Sequence, residues 1–173
     1  EHISRPIHTC EEVSIMPHDF TVDFHVMLCG KNESEESKLL CLNEADYRQV
    51  SLGVEHSKVK ANIITDGTIG SRHLLSSNEL SLFRWYEVQL CGDRTHFRLW
   101  VDKVEVDQCE IKTQSNEPLV GRVSLAYEML HLSHSAITAN NLHRHFEGHL
   151  FRPMIWQGVP TPYELYDPKR CSS

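Results

Sequence analysis

No apolar run in this sequence approaches the roughly 18–20 residues that a membrane-spanning helix requires; the longest, such as residues 39–42, are only a few residues long. Helical membrane insertion is therefore excluded. Positive charge is scarce too, with 17 Lys plus Arg against 24 Asp plus Glu and a net charge of -7 at neutral pH. That balance lacks the basic footprint of a nucleic-acid or anionic-membrane binder. No two cysteines stand at the two-to-four-residue spacing of a zinc knuckle, which argues against thiolate-held zinc. A nucleophile elbow, a Gly-rich phosphate loop and a Ser/His/Asp arrangement are all missing. No repeat or low-complexity tract is present, and Glu1-His2-Ile3-Ser4 carries no signal peptide, as expected of a mature protein or an excised piece of a longer one.

What is there reads as one globular domain spanning 1–173, with 40% apolar and 24% charged residues. Six dispersed cysteines admit buried thiols, a metal site or disulfides. Their even number, together with the N-glycosylation acceptor Asn32-Glu33-Ser34, points to disulfides and an extracellular location. The dominant period is two. Residues 20–28 alternate Phe20, Val22, Phe24, Val26 and Leu28 against Thr21, Asp23, His25 and Met27, the pattern of a strand with one buried face. Comparable runs at 48–54, 58–65, 85–90, 96–101, 104–107, 119–127 and 150–156 predict many short strands, hence an all-β antiparallel two-sheet sandwich. Gly92 is expected to supply a positive φ in the turn at 91–94, and Asp102-Lys103 turns the chain again. Short helical alternatives exist at 38–50 and 76–86. The segments 1–17 and 161–173 read as extended ends, and 31–38 as a polar loop.

Seven segments stand in a telling order: Phe20-Thr21-Val22-Asp23-Phe24, Ser37 to Leu42, Asp46-Tyr47-Arg48-Gln49-Val50, Lys58 to Asn62, Phe83-Arg84-Trp85-Tyr86-Glu87-Val88, Phe97-Arg98-Leu99-Trp100-Val101-Asp102 and the closing stretch Phe146-Glu147-Gly148-His149-Leu150. On these residues the chain resembles a laminin G-like domain, the laminin/neurexin/sex-hormone-binding-globulin module. The likeness covers roughly 18–166 and implies a concanavalin A-like jelly-roll sandwich. Where many members of the family have a closing-strand cysteine this chain has His149, which leaves Cys171 without its usual partner. Chain ends lie side by side in such sandwiches, implying a Cys10–Cys171 bridge. Cys29 and Cys41 flank the polar loop and form the second candidate pair. Cys91 with Cys109 is the third, although two strands at about 4.8 Å each put them beyond the roughly 7 Å limit unless the sheet bends. The family's rim calcium is implied at Asp46, with a second ligand from the loop near Asn116-Glu117.

Three functions follow from these features. The leading expectation is an extracellular, non-enzymatic recognition or adhesion module for a protein or glycan partner, with calcium the only cofactor implied. A second is a glycoside hydrolase, because Glu105, Asp107 and Glu110 have the Glu-x-Asp-x-x-Glu spacing of retaining enzymes on a related sandwich, where a bulge collects the carboxylates. The plain alternative is a solvated strand face. A third is a small-ligand carrier with a pocket between the sheets. The 12 histidines add a further feature: His131 with His134, and the cluster His143, His145 and His149, suit a metal or a pH-sensitive edge. Full protonation of the histidines would carry the net charge from -7 to about +5.

Overall fold

The computed structural model describes residues 5–6, 12–30, 37–45, 48–65, 72–111, 117–125 and 147–157. The alternating runs form twelve strands: β1 (Arg5–Pro6), β2 (Glu12–Ile15), β3 (Phe20–Leu28), β4 (Ser37–Ala45), β5 (Arg48–Glu55), β6 (Lys58–Ile64), β7 (Arg72–Glu79), β8 (Trp85–Gly92), β9 (His96–Val101), β10 (Val104–Glu110), β11 (Leu119–Leu125) and β12 (Gly148–Gln157). They build two six-stranded sheets, sheet A in the order β1-β12-β3-β8-β9-β10 and sheet B in the order β2-β11-β4-β5-β6-β7. Among the described residues every strand pairing is antiparallel, and the architecture is a jelly-roll sandwich. Because side chains alternate across a strand, one phase of each strand enters a common core. Phe20, Phe24, Leu90, Phe97 and Leu99 come from sheet A, and Leu40, Leu52, Ile63 and Leu75 from sheet B.

The strands that escape a period-two reading are the ones with interrupted alternation. Within the two stretches 38–50 and 76–86, residues 38–45, 48–50, 76–79 and 85–86 are strand, not helix, and 80–84 a turn, and a bulge in β4 between Lys38 and Leu40 buries Leu39 and Leu40 together. The broken pattern is thus a strand with one extra residue. In β7 the exposed Leu74 sits between buried His73 and Leu75 and hides the phase.

The turns follow different rules from the one expected. Gly92 belongs to β8 and is not in the left-handed region; the hairpin is closed instead by Asp93, whose N–H donates to the His96 carbonyl at 3.0 Å. The two-residue turns His56-Ser57 (φ 51° and 60°) and Asp102-Lys103 (φ 50° and 63°) hold positive φ at both central positions, the geometry that matches strand twist. Asp102 is further fixed where its carboxylate accepts the Glu87 N–H at 3.0 Å and Arg84 at 3.1 Å.

The two sheets close against each other along one side through β7 and β10. Asp107 reaches across from β10, and its Oδ2 accepts the backbone N–H of Ser76 in β7 at 2.9 Å. A carboxylate thereby satisfies a donor on the edge of the other sheet, where an open N–H invites pairing with another chain.

Candidate functional site

Strand register arranges the outward phase of sheet A in rows. The first row holds His149, Met27 and Trp85; the second holds Phe151, His25 and Glu87. The third runs through Asp23, Gln89, Trp100 and Glu105, and the fourth through Thr21, Cys91, Arg98 and Gln108. The first two rows make an aromatic corner. Trp85 lies 6.2 Å from Phe151 at an interplanar angle of 65° and 6.3 Å from His149 at 38°. His25 stands edge-on to Phe151 at 6.3 Å. These rings should be under cover in a sheet whose core lies on the other face, yet Trp85 is 47% exposed and Phe151 54%. Phe83, 70% exposed, enters β8 at a left-handed φ of 59°, held by its N–H donating to the Leu28 carbonyl at 2.7 Å. A bulky residue in that region is an energetic cost.

Polar groups border the corner. Glu87 Oε2 is 4.0 Å from His25 Nε2, too long for a hydrogen bond, and the buried Nδ1 of His25 has no partner among the described residues. Farther along the sheet, Gln89 donates to Asp23 at 3.1 Å while its own amide oxygen is buried and unpartnered among the described residues. Arg98 is held by three acceptors: Nε donates to Asp93 at 3.0 Å, and Nη1 to Glu105 at 2.7 Å and Gln108 at 2.8 Å. Glu105 first, and then Asp93, strengthen its hold on the proton. Burial pushes the Cys91 thiol up to about 12, so it remains protonated and unreactive.

Asp93 anchors this end. Burial pushes its carboxyl up, but the N–H groups of His96 and Thr95, together with Arg98, outweigh that and hold it at about 2, below the ordinary 3.8. A lowered folded-state value means that its stabilising contribution is full above about pH 4 and disappears as pH falls through about 2. Asp93→Asn is expected to cost about 1–2 kcal/mol at pH 7, after allowing for solvent screening at this partly exposed turn. Urea unfolding of both proteins from pH 7 to pH 2 should show the gap closing below pH 4. A gap independent of pH would assign the effect to turn geometry rather than to charge.

The residues singled out from the sequence fall differently. The three carboxylates of the hydrolase reading are split by a bulge between Glu105 and Asp107. Glu105 and Glu110 pair with Trp100 and His96 on the outer face, whereas Asp107 pairs with Leu99 and points to the inner side, where it binds Ser76. An unbroken strand would have made Glu110 the odd one out; the bulge makes it Asp107. Nor do the Cys29–Cys41 and Cys91–Cys109 pairings survive, since none of these four cysteines is in a disulfide. Cys91 sits beside Thr21 on the outer face of sheet A and Cys109 opposite Phe97 on the inner face, so the sheet itself separates them. Cys29 follows β3 in sheet A, while Cys41 faces Ser51 in the middle of sheet B. Cys10, Cys171, Asn32, Asp46, His131, His134, His143 and His145 lie outside the described residues. His149 is described and belongs to the aromatic corner. Beside the expected calcium loop, Arg48 donates to the Glu117 carbonyl at 3.0 Å and pairs with its carboxylate at 3.7 Å, so a guanidinium already engages those oxygens. Between the sheets, Phe97 packs 6.4 Å from Phe20 and 4.9 Å from His73, filling the space a carrier would need there. A groove of about 260 Å³ lies elsewhere, along β6 and β7, lined by Glu55, Lys60, Asn62, Arg72, Leu74 and Ser76.

The aromatic corner was missed from sequence, although a signal exists. Met27, Trp85 and Phe151 are large apolar residues in the outward phase of strands whose inward phase is already apolar.

No protein-family model matches the chain, and neither does the sequence of any curated protein. Among solved structures it is similar to the CBM40 module of the Ruminococcus gnavus IT-sialidase bound to α2,3-sialyllactose, with 13% identity, a TM-score of 0.60, and 94% of this chain and 96% of that one covered. It is similar to the binding domain of botulinum neurotoxin serotype G, at 9% identity and a TM-score of 0.61, covering 95% of this chain and 39% of that one. A third is the heptameric SAP-like pentraxin of Limulus polyphemus, at 13% identity and 0.57, covering 94% and 72%. The chain thus spans nearly the whole Ruminococcus module and about two-fifths of the toxin domain. At these identities the likeness is one of fold: all are jelly-roll sandwiches.

Proposed function

We propose that this chain is an extracellular, non-catalytic recognition module of laminin G-like type that binds a glycan or protein partner through the outer face of sheet A. The observation that carries the reading is the exposure of Trp85 and Phe151 side by side on that face. Solvent-facing aromatic clusters rimmed by polar groups are the usual mark of a contact surface, because burying them on binding recovers the hydrophobic free energy that folding leaves unused. The fold neighbours support the same class, namely a module bound to sialyllactose and a toxin binding domain. Absence of catalysis is favoured by the separation of Asp107 from Glu105 and Glu110, since a two-carboxylate hydrolysis needs its acids in one groove. The extracellular location rests on the Asn32 sequon and the family resemblance, not on cysteine pairing. Calcium at Asp46 stays an auxiliary part of the proposal, tested by whether millimolar calcium raises the melting temperature.

The test is binding of the labelled chain to a panel of immobilised glycans and extracellular-matrix proteins, with the double variant Trp85→Ala/Phe151→Ala alongside. Both side chains are half exposed, so the fold should survive and the melting temperature should change little. Affinity for the partner is expected to fall by about 30-fold, the scale of losing an aromatic hot spot of about 2 kcal/mol. Undiminished binding by the double variant would move the site off this face.

A further inference from the structure

Resting on that reading, we infer that the aromatic corner of sheet A takes an uncharged saccharide, a pyranose ring stacked on Trp85 with its hydroxyls directed to Glu87 and His25. Two observations narrow the ligand. The corner is amphipathic, because each ring has a polar neighbour in its own row or the next: Trp85 beside His149, and Phe151 beside His25 and Glu87. A pyranose matches this alternation. Its C–H face carries weak positive charge that sits on the electron-rich face of an indole, and its hydroxyls leave the ring edge as both donors and acceptors. Glu87 Oε2, 4.0 Å from His25 Nε2, keeps lone pairs for hydroxyl donors. The buried Nδ1 of His25, unpartnered among the described residues, marks a place where polar capacity is left over. A purely apolar partner would strand both groups.

Charge excludes the acidic glycans. The outward strand residues of sheet A bring Asp23, Glu87, Glu105 and Glu110 against Arg98. Arg98 is committed to Asp93 and Glu105, and Arg84, next to the corner, to Asp102. Arg152 at the β12 bulge is exposed and already engaged. A sialylated or sulfated ligand would therefore meet Glu87, with Asp23 in the next row, and no uncommitted guanidinium among the described residues to neutralise it, and like charges repel. The fold neighbour with bound sialyllactose carries an acidic sugar; this chain's corner is built for a neutral one.

The probes are biotinylated lactose, N-acetyllactosamine and chitotriose, set against sialyllactose and heparin, with the whole chain at 50 mM and 500 mM salt. Binding to at least one neutral probe is expected, with affinity nearly unchanged by salt, since no ion pair is screened. Trp85→Ala should weaken it about tenfold, and Trp85→Phe should restore most of the loss. Glu87→Gln separates hydrogen bonding from packing: it should weaken neutral probes by a few-fold, whereas the acidic probes, relieved of one repelling carboxylate, should bind no worse than before. Binding confined to sialyllactose or heparin, or no neutral probe bound at millimolar concentration, overturns the inference. In either case the wider recognition reading stands if a panel protein or acidic glycan still loses affinity in Trp85→Ala/Phe151→Ala, and falls with it if none does.

Discussion

Replacing Phe97 by alanine should lower the unfolding free energy by about 4 kcal/mol, within the range for deleting a buried aromatic. Phe97, in β9 of sheet A, is fully buried, and its ring meets Phe20 of β3 at 6.4 Å and His73 of β7, in the opposite sheet, edge-on at 4.9 Å. One side chain therefore joins three strands across the core. Its removal forfeits transfer free energy and leaves a cavity that strands on two sheets would have to collapse in order to fill. Phe97→Leu keeps most of the volume and should cost less than about 1.5 kcal/mol. Urea titration of the three proteins measures the difference. Equal losses for Leu and Ala would mean that the ring contacts, rather than the filled volume, carry the stability.

The second large effect is expected at Gly92, where alanine should cost about 3 kcal/mol, at the upper end of overpacking penalties. A Cβ there would run into the backbone carbonyl of Pro17 and stand 2.5 Å from Cε1 of the Phe20 ring. The carbonyl belongs to the tight turn that the Asp19 N–H closes on the Met16 carbonyl at 3.0 Å, so it cannot simply swing aside. Phe20 is fully buried, so its ring has nowhere to retreat. Gly92 thus serves as a gap through which the chain before β3 crosses the end of β8. If Gly92→Ala melts within about two degrees of the parent, on the order of 0.5 kcal/mol for a domain this size, the close approach has relaxed and the prediction fails.

The split carboxylates illustrate where sequence spacing loses its force. Glu105, Asp107 and Glu110 carry the right residue types, but facing direction depends on whether a strand is regular, and one extra residue at the bulge reverses every side chain beyond it. The partner strand decides where that residue goes. Here the reversal sends Asp107 to the Ser76 N–H and leaves Glu105 to Arg98. The Cys91–Cys109 pairing fails for the same reason, since the two are close along a meander yet face opposite sides of the sheet.

Alternation alone was enough to establish the all-β class and most strands, including Phe20–Leu28 and His96–Val101 to the residue. It works because burial of one sheet face is a local demand, written every second position. The Asp102-Lys103 turn was legible too, because it interrupts an otherwise continuous pattern. What the tertiary structure alone decided is which strands become neighbours: β12 beside β3 brings His149 and Phe151 next to His25 and Trp85, residues 60 or more positions apart. The outward-phase Trp85 and Phe151 were visible as separate anomalies. Only the antiparallel register, set by long-range pairing between distant segments, turns them into one exposed surface.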